Sequence, residues 1–435
     1  MPETPIPPVL PRSGSARSPL LAAYLAAGSV LSPFAPAILR RRLVRGKEDP
    51  ARWTEKLGHA TRPRPAGRLI WLHAVSVGEG LSVLPLIQRL VAGGASVLVT
   101  STTVTAARLL ADRLPDGAFH QFLPLDLPGP VTRFLDHWRP DLAVLVESEF
   151  WPRLISQCRA RGVPLALVNA RVSDTSARNW RRAPGLAQAM LGAFSFLTAP
   201  DARVAGILAA LGADPARIRL TGSLKRGTGR LPVDAEALAA LRREYAGRRP
   251  WLAASTHPGE EEAILDAHSL LADPARPLIL APRHPHRGAA LREMIAARGF
   301  SVAQRSAGEA AGEAQVYLAD TLGEMGLWFD LCPVAFIGGS LVPVGGHNAY
   351  EAVAHGAAVV TGPQIANFAA LYDRLLAADG AVMVSDATAL AHALRDLDEP
   401  VERARLTAAA EAAILQEGDA TDETANLLLA LLPSA

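Results

Sequence analysis

RLIWLHAVSVGE, residues 68–79, is the stretch that decides the fold. Its first eight residues form a short apolar run of the kind that reads as a strand of a sheet covered on both faces. The small-residue turn Ser76-Val77-Gly78 then delivers Glu79 just past the strand's end. The arrangement recurs along the chain. LAVLVE leads into ESEFWP (Glu147 to Pro152), PLALVNAR into Ser173, and WLAAS into THPGEE (Thr256 to Glu261). PLILAPR leads into HPH (His284 to His286), and VAFIGG into SLVPVGGHN (Ser340 to Asn348). Open parallel α/β sheets bind ligands outside the carboxyl ends of their strands. Two such sets in one chain predict two parallel sheets facing a central ligand cleft.

Length agrees, because 435 residues exceed one ordinary core and imply two domains of roughly 180 residues each. Strands are expected at 68–75, 95–101, 118–123, 142–147, 164–169, 196–199 and 218–222, each followed by helix-like or turn-rich sequence. The polar, Gly-rich GSLKRGTGRLP (Gly222 to Pro232) marks the boundary. The rhythm resumes at 251–255, 277–281, 300–304, 315–319, 334–338, 357–361 and 381–384. The expected division is an N-terminal segment 1–47, an acceptor domain 48–225 and a donor domain 226–435, whose last helix is able to cross back to the acceptor domain.

Net charge is only +2, but Arg40, Arg41, Arg42, Arg45 and Lys47 make the N-terminal region basic. A local bias favours an anionic surface or substrate over nucleic acid. The basic cluster directly follows PLLAAYLAAGSVLSPFAPAIL (Pro19 to Leu39), an uncharged run about as long as a bilayer-spanning helix. Pro33 and Pro36 argue against one regular helix, so a span, a monotopic anchor lying in the interface and a first helix packed on the domain all remain open. Arg12 and Arg17 precede the run, yet the strongest positive charge follows it, which argues against a cleaved signal peptide. Two cysteines, Cys158 and Cys332, exclude a disulfide framework and read as buried structural thiols.

Neither G-x-x-x-x-G-K-[ST] nor a G-x-G-x-x-G after the first strand is present, which sets aside P-loop enzymes and dehydrogenases. Asp396-Leu397-Asp398 reads as a solvated helix face, and His257, His284, His286 and His347 lack a metal-ligand spacing. Glu79 at a strand end is placed to act as a general base, or to stabilise a helix N-terminus. Glu147 and Glu149 share a face if extended, and such carboxylates need cations or substrate hydroxyls. Arg283 and Lys225 are candidate phosphate contacts. Asn348 and Glu351 open a helix expected over Tyr350 to His355, either as a ligand site or as a cap.

The ordered series HAVSVGE, FLPLDLP, VESEFWP, VNARVS, TGSLK, STHPGEE, APRHPHR, GGSLVPVGGHN and Asn367-Phe368 resembles the 3-deoxy-manno-octulosonic acid (Kdo) transferases. The resemblance covers about residues 20–430. It implies a GT-B fold, two Rossmann-like domains with the donor held mainly by the C-terminal one, and an N-terminal membrane anchor. It also implies inverting transfer of Kdo from CMP-Kdo to a lipid A precursor, without metal or other cofactor, at the cytoplasmic face of the inner membrane. Carried over by motif, Glu79 is the base, and Glu147 and Lys225 stabilise the transition state. Pro282 and Arg283, then Gly323, Glu324 and Met325, then Asn348, Ala349, Tyr350 and Glu351, match the segments that hold CMP.

The chain departs from the family pattern at STTVTAAR (Ser101 to Arg108), at Arg226-Gly227 after GSLK, and at Ala349-Tyr350 after GGHN. The first two changes lie near where acceptor or donor binds and bear on acceptor choice more than on fold. A GT-B paralogue with a different acceptor, a nucleotide-sugar 2-epimerase and a non-catalytic membrane-associated binding protein stand as alternatives. An epimerase leaves Pro19 to Arg45 unexplained, and a binder leaves the retained Glu79, Glu147, Lys225 and Arg283 unexplained.

Overall fold

The computed structural model describes residues 18–75, 77–415 and 419–433. Ser76 of the expected turn, together with Arg12 and Arg17, lies outside them. The chain divides into two compact units, Met1–Thr228 with Gly418–Ala435, and Gly229–Glu417.

In the first unit seven parallel strands are β1 (Leu69–His73), β2 (Ser96–Ser101), β3 (Ala118–Phe122), β4 (Leu142–Val146), β5 (Leu165–Val168), β6 (Phe196–Ala199) and β7 (Ile218–Leu220). Their order is β3-β2-β1-β4-β5-β6-β7, with Leu69 opposite Ser96 and Ile70 opposite Leu142. The chain winds outward from β1 to β3 and then returns to the other side at β4. The switch point, where doubly wound sheets open a crevice, therefore lies between the ends of β1 and β4. All five residues of β1 are buried. Leu69 and Trp71 pack with Phe134 and Trp138 on one face, while Ile70 and Leu72 pack with Val83, Leu86 and Ile87 on the other. Each such aliphatic side chain contributes about 1.5–3 kcal/mol by leaving water, which explains why an unbroken apolar run forms an inner parallel strand. The helix Ala420–Leu429 returns to this unit and packs on the helix Val77–Ala92, with Arg89 paired to Asp422 at 2.6 Å.

The second unit repeats the plan with β8 (Trp251–Thr256), β9 (Leu278–Pro282), β10 (Val302–Gln304), β11 (Val316–Leu318), β12 (Val334–Ile337), β13 (Ala358–Thr361) and β14 (Ala381–Met383). Their order is β10-β11-β9-β8-β12-β13-β14, all parallel, so its switch point lies between β8 and β12. Every strand expected from the apolar runs is present, usually shorter by a residue or two. Cys158 and Cys332 are free and buried, and burial pushes the Cys158 thiol up to about 12. Asp398 is not merely a solvated acid, since it pairs with the buried Arg276 at 3.0 Å.

Pro19–Val44 is long and apolar enough to cross a membrane and fits a membrane anchor. It is broken as Pro33 and Pro36 predict, into helices Pro19–Leu31 and Ala35–Val44 joined by a 3-10 turn at Ser32–Phe34. Leu21, Leu25, Gly28, Ala35 and Leu39 turn toward the first unit, whereas Leu20, Val30, Leu31, Phe34 and Ile38 are exposed.

Candidate active site

The switch point of the first unit gathers acidic side chains from β1 and β4. Glu79 stands in the first turn of the helix Val77–Ala92, where its Oε2 accepts a hydrogen bond from Val75 N at 2.8 Å. The carboxylate thus also stabilises the turn that positions it, as the helix-terminal reading expects.

Glu147 follows β4 directly, but it is not extended. Its φ of 59° lies in the left-handed region, where a side chain other than Gly, Asn or Asp is strained. Its amide still donates to Val168 O at 3.0 Å, so the sheet register runs into the kink. The extended arrangement in which Glu147 and Glu149 would share a face is therefore not adopted. The kink sends Glu147, only 9% exposed, toward Lys225 Nζ at 2.7 Å and Arg171 at 3.9 Å. Lys225 reaches it because Leu224 is buried in the core of this unit and Leu224 N donates to Asn169 Oδ1 at 3.3 Å. The 3-10 turn Leu224–Thr228 packs against the helix that bears Glu79.

Among the described residues no Lys or Arg is paired with Glu149. Its Oε2 accepts from Trp151 Nε1 at 3.0 Å and faces His73 Nε2 at 3.9 Å. Burial, then the nearby Glu79 charge, raise its pKa to about 7. His73 is wholly buried, and that burial lowers its pKa to about 4, so the ring is neutral. Because Thr100 O only accepts, the 3.0 Å contact with it places the proton on Nδ1 and leaves the Nε2 lone pair pointing toward Glu149. Neither His73 nor the role of Glu149 was singled out by sequence. The pairing depends on β1 lying beside β4, and strand order leaves no mark in a single sequence.

In the second unit the residues at the strand ends are arranged differently. Glu260, buried after β8, accepts from His257 N at 2.8 Å and from Gly339 N at 2.6 Å, the second lying in the loop after β12. It clamps both sides of this switch point, a role that the plain THPGEE motif did not reveal. Burial raises the pKa of this carboxyl against those hydrogen bonds. His257 and His347 stack with ring centroids 5.0 Å apart, and His284 lies 5.7 Å from His257. Burial and then the neighbouring His284 lower the His257 pKa.

Pro282 ends β9 and Arg283, exposed, is anchored by its amide to Thr256 O at 3.0 Å. Gly323 has a φ of 86°, and Glu324 pairs with Arg305 at 2.6 Å ahead of Met325. Burial opposes ionisation of Glu324, yet the Arg305 and Thr321 hydrogen bonds hold its pKa below the usual range. Asn348 Oδ1 accepts from Tyr350 N at 3.0 Å while its Nδ2 donates to Glu351 at 3.1 Å. Asn348, one residue before the N-cap Ala349, thus satisfies the first amide of the helix Tyr350–Ala354, and Ala349 and Tyr350 are buried in the core. Only backbone groups remain to a ligand at those two positions. Among the described residues no group of three His, Cys, Asp or Glu side chains is set to hold a metal ion.

Two Rossmann-like units, each with polar side chains at its switch point, are the architecture of GT-B enzymes. The solved structure of Anabaena HepE in complex with UDP has the same fold, with a TM-score of 0.58 at 16% identity over 83% of this chain and 97% of that one. Closer kinship appears in sequence. The family model described as 3-deoxy-D-manno-octulosonic-acid transferase matches residues 51–228. A probable mitochondrial 3-deoxy-D-manno-octulosonic acid transferase of Arabidopsis thaliana is 39% identical over 351 residues, 78% of each chain. The 3-deoxy-D-manno-octulosonic acid transferase of Haemophilus influenzae is 35% identical over 379 residues, 85% of this chain and 88% of that one. The protein is a glycosyltransferase. It belongs to the 3-deoxy-D-manno-octulosonic acid transferase family.

Proposed function

We propose that the chain transfers Kdo from CMP-Kdo to a lipid A precursor, lipid IVA, with inversion and release of CMP. The observation that carries this reading is the pair of buried Glu147 and half-buried Lys225, 2.7 Å apart, beside the carboxylates Glu79 and Glu149 at one switch point. Glu79 accepts the proton of the acceptor hydroxyl as that oxygen bonds to the anomeric carbon of Kdo. The bond from this carbon to the CMP phosphate oxygen breaks in the same displacement, and inversion follows from attack on the opposite face. Glu147 carries negative charge suited to the cationic character of the sugar in the transition state, and Lys225 offsets charge on the departing CMP. Pro282, Arg283, Gly323, Glu324, Met325 and Asn348 through Glu351 form the CMP-binding surface in this reading, Ala349 and Tyr350 through their backbone.

The N-terminal helices lie in the membrane interface rather than across it. Leu21, Leu25 and Gly28 recur on one side of Pro19–Leu31, which packs against the helices Pro152–Ala160 and Pro184–Leu191. Tyr24 also donates to Asp126 Oδ2 at 2.9 Å. A bilayer span would have to give up this seam, whereas an in-plane anchor keeps it and buries Val30, Leu31, Phe34 and Ile38 in lipid. The exposed Arg40, Arg41 and Arg45 then meet anionic headgroups on the cytoplasmic side.

The test is transfer from CMP-Kdo, generated in situ, to tetraacylated lipid A precursor, with product masses read by mass spectrometry. Addition of one or more Kdo units is expected. No product from the folded, membrane-bound protein overturns the assignment.

A further inference from the structure

The motif residues leave unassigned a pocket of about 230 Å³ in the first unit. Glu149, Phe150 and Trp151 line it from the segment after β4, Arg171 from the segment after β5, and Ser176 and Trp180 from the helix Asp174–Arg181. Phe150 meets Trp180 edge to face, centroids 5.3 Å apart, so the two rings support each other in an apolar corner.

Its polar end is incomplete. His73 Nε2 is buried without a hydrogen-bond partner, and Glu149 Oε2 at 3.9 Å is too far to supply one. A buried polar atom left unpaired costs about 1–3 kcal/mol. The deficit lies behind Glu149, which Trp151 Nε1 holds at the pocket wall. An apolar aromatic wall, a carboxyl at one end and a guanidinium on the same rim form a surface complementary to a pyranose ring that bears an anionic group.

Resting on the proposed acceptor reading, we propose that this pocket is the subsite for a sugar ring of the acceptor. Trp180 packs on the C–H face of the ring, with Phe150 closing the corner beside it. Glu149 hydrogen-bonds a ring hydroxyl close to Glu79, and Arg171 pairs with an anionic substituent. A free sugar phosphate and the headgroup of a glycolipid share this chemistry.

Ser176 sits near the pocket's edge on a surface helix, so Ser176→Trp fills the space without disturbing the core. We expect the acceptor KM to rise about tenfold, with the donor KM within about twofold of the wild type. Trp180→Ala should move the same constant, and Trp180→Phe should restore it. An unchanged acceptor KM in the folded Ser176→Trp protein overturns the proposal.

A second arm uses pH. Glu149 faces Glu79, Glu147 and His73, with Arg171 on the same rim, and its carboxyl holds a proton up to about pH 7. A donated hydrogen bond is therefore present below that pH and lost above it, so the wild-type acceptor KM should rise through pH 7 while that of Glu149→Gln stays flat. A flat wild-type profile overturns Glu149 as the donor.

Calorimetry with glucosamine 1-phosphate separates the two readings. Binding by the wild type that is lost in Ser176→Trp supports the pocket even if no Kdo is transferred. No binding at millimolar concentration overturns it for a free sugar phosphate, and the acceptor KM then decides for the lipid headgroup.

Discussion

Replacing Lys225 by Met tests whether the Glu147–Lys225 pair holds the first unit together as well as serving the reaction. Glu147 is 9% exposed, with its ammonium partner at 2.7 Å and the Arg171 guanidinium at 3.9 Å. Removing one partner of a buried pair typically costs 3–5 kcal/mol, and the remaining arginine puts the expected loss near the lower end, about 3 kcal/mol. For a unit of this size that corresponds to a fall in Tm of about 6–12 °C. Glu147→Gln alone should cost less, because the long Lys225 stem can carry its charge to water. The double variant Glu147→Gln/Lys225→Met removes both charges and should recover about 2 kcal/mol relative to the sum of the singles. Thermal unfolding of the four proteins at one pH and salt concentration gives this cycle, and turnover on the same samples separates folding from catalysis. The double variant should stay at least about a hundredfold slow although its stability returns. Strictly additive Tm shifts would refute the pairing as a source of stability, and normal turnover would remove it from the mechanism.

Glu79→Ala should lower turnover by about 10²–10⁴ while CMP binding, measured by calorimetry, stays nearly unchanged; a variant with normal turnover cannot have lost its base. Gly338→Ala would bring a Cβ to 2.7 Å from Glu260 Oε1 and 2.8 Å from Ser255 O, so the second unit should lose about 2 kcal/mol, read as a lower denaturant midpoint. An unaltered midpoint would show that the Glu260 clamp yields easily. His268 is neutral when folded because burial lowers its pKa to about 4, below the unfolded value near 6.5. Its contribution is complete above pH 6.5 and lost as pH falls toward 4, so relative to His268→Gln the wild type should lose about 2–3 kcal/mol between pH 7 and 4.5. A gap between the two proteins that does not change with pH contradicts the buried neutral ring.

The fold was legible because inner parallel strands bury both faces. Runs such as Leu69–His73 and Leu142–Val146 therefore carry no polar alternation and announce themselves without tertiary information. Glu79 and Glu147 were legible for a related reason, since each follows such a run. What the sequence hid depends on lateral strand order and on backbone handedness. The positive φ at Glu147 turns this side chain toward Lys225, which the motif alone placed near phosphate. His73 lies inside an apolar strand, where nothing distinguishes a packed histidine from one facing a carboxylate across to the next strand. Glu260 looked like one acid among three in PGEEE, and only the approach of Gly339 N makes it the clamp of its switch point.

The anchor and the candidate acceptor pocket hang from the same helix, and this constrains how a lipid-bound substrate is reached. Asp126 accepts from Arg153 N at 2.9 Å and Leu154 N at 2.8 Å, fixing the start of the helix Pro152–Ala160. The same carboxylate accepts from Tyr24 of the first apolar helix, and the Arg153 guanidinium donates to Leu25 O. Phe150 and Trp151, which line the pocket, immediately precede that helix. Asp126→Ala would free the helix start and the anchor seam together. On the proposed reading, kcat with lipid acceptor in vesicles should then fall more than kcat with the same acceptor in detergent micelles, where no fixed bilayer plane has to be matched. Equal losses in vesicles and micelles would mean that Asp126 serves only the stability of the first unit and that the seam does not set the height of the pocket above the membrane.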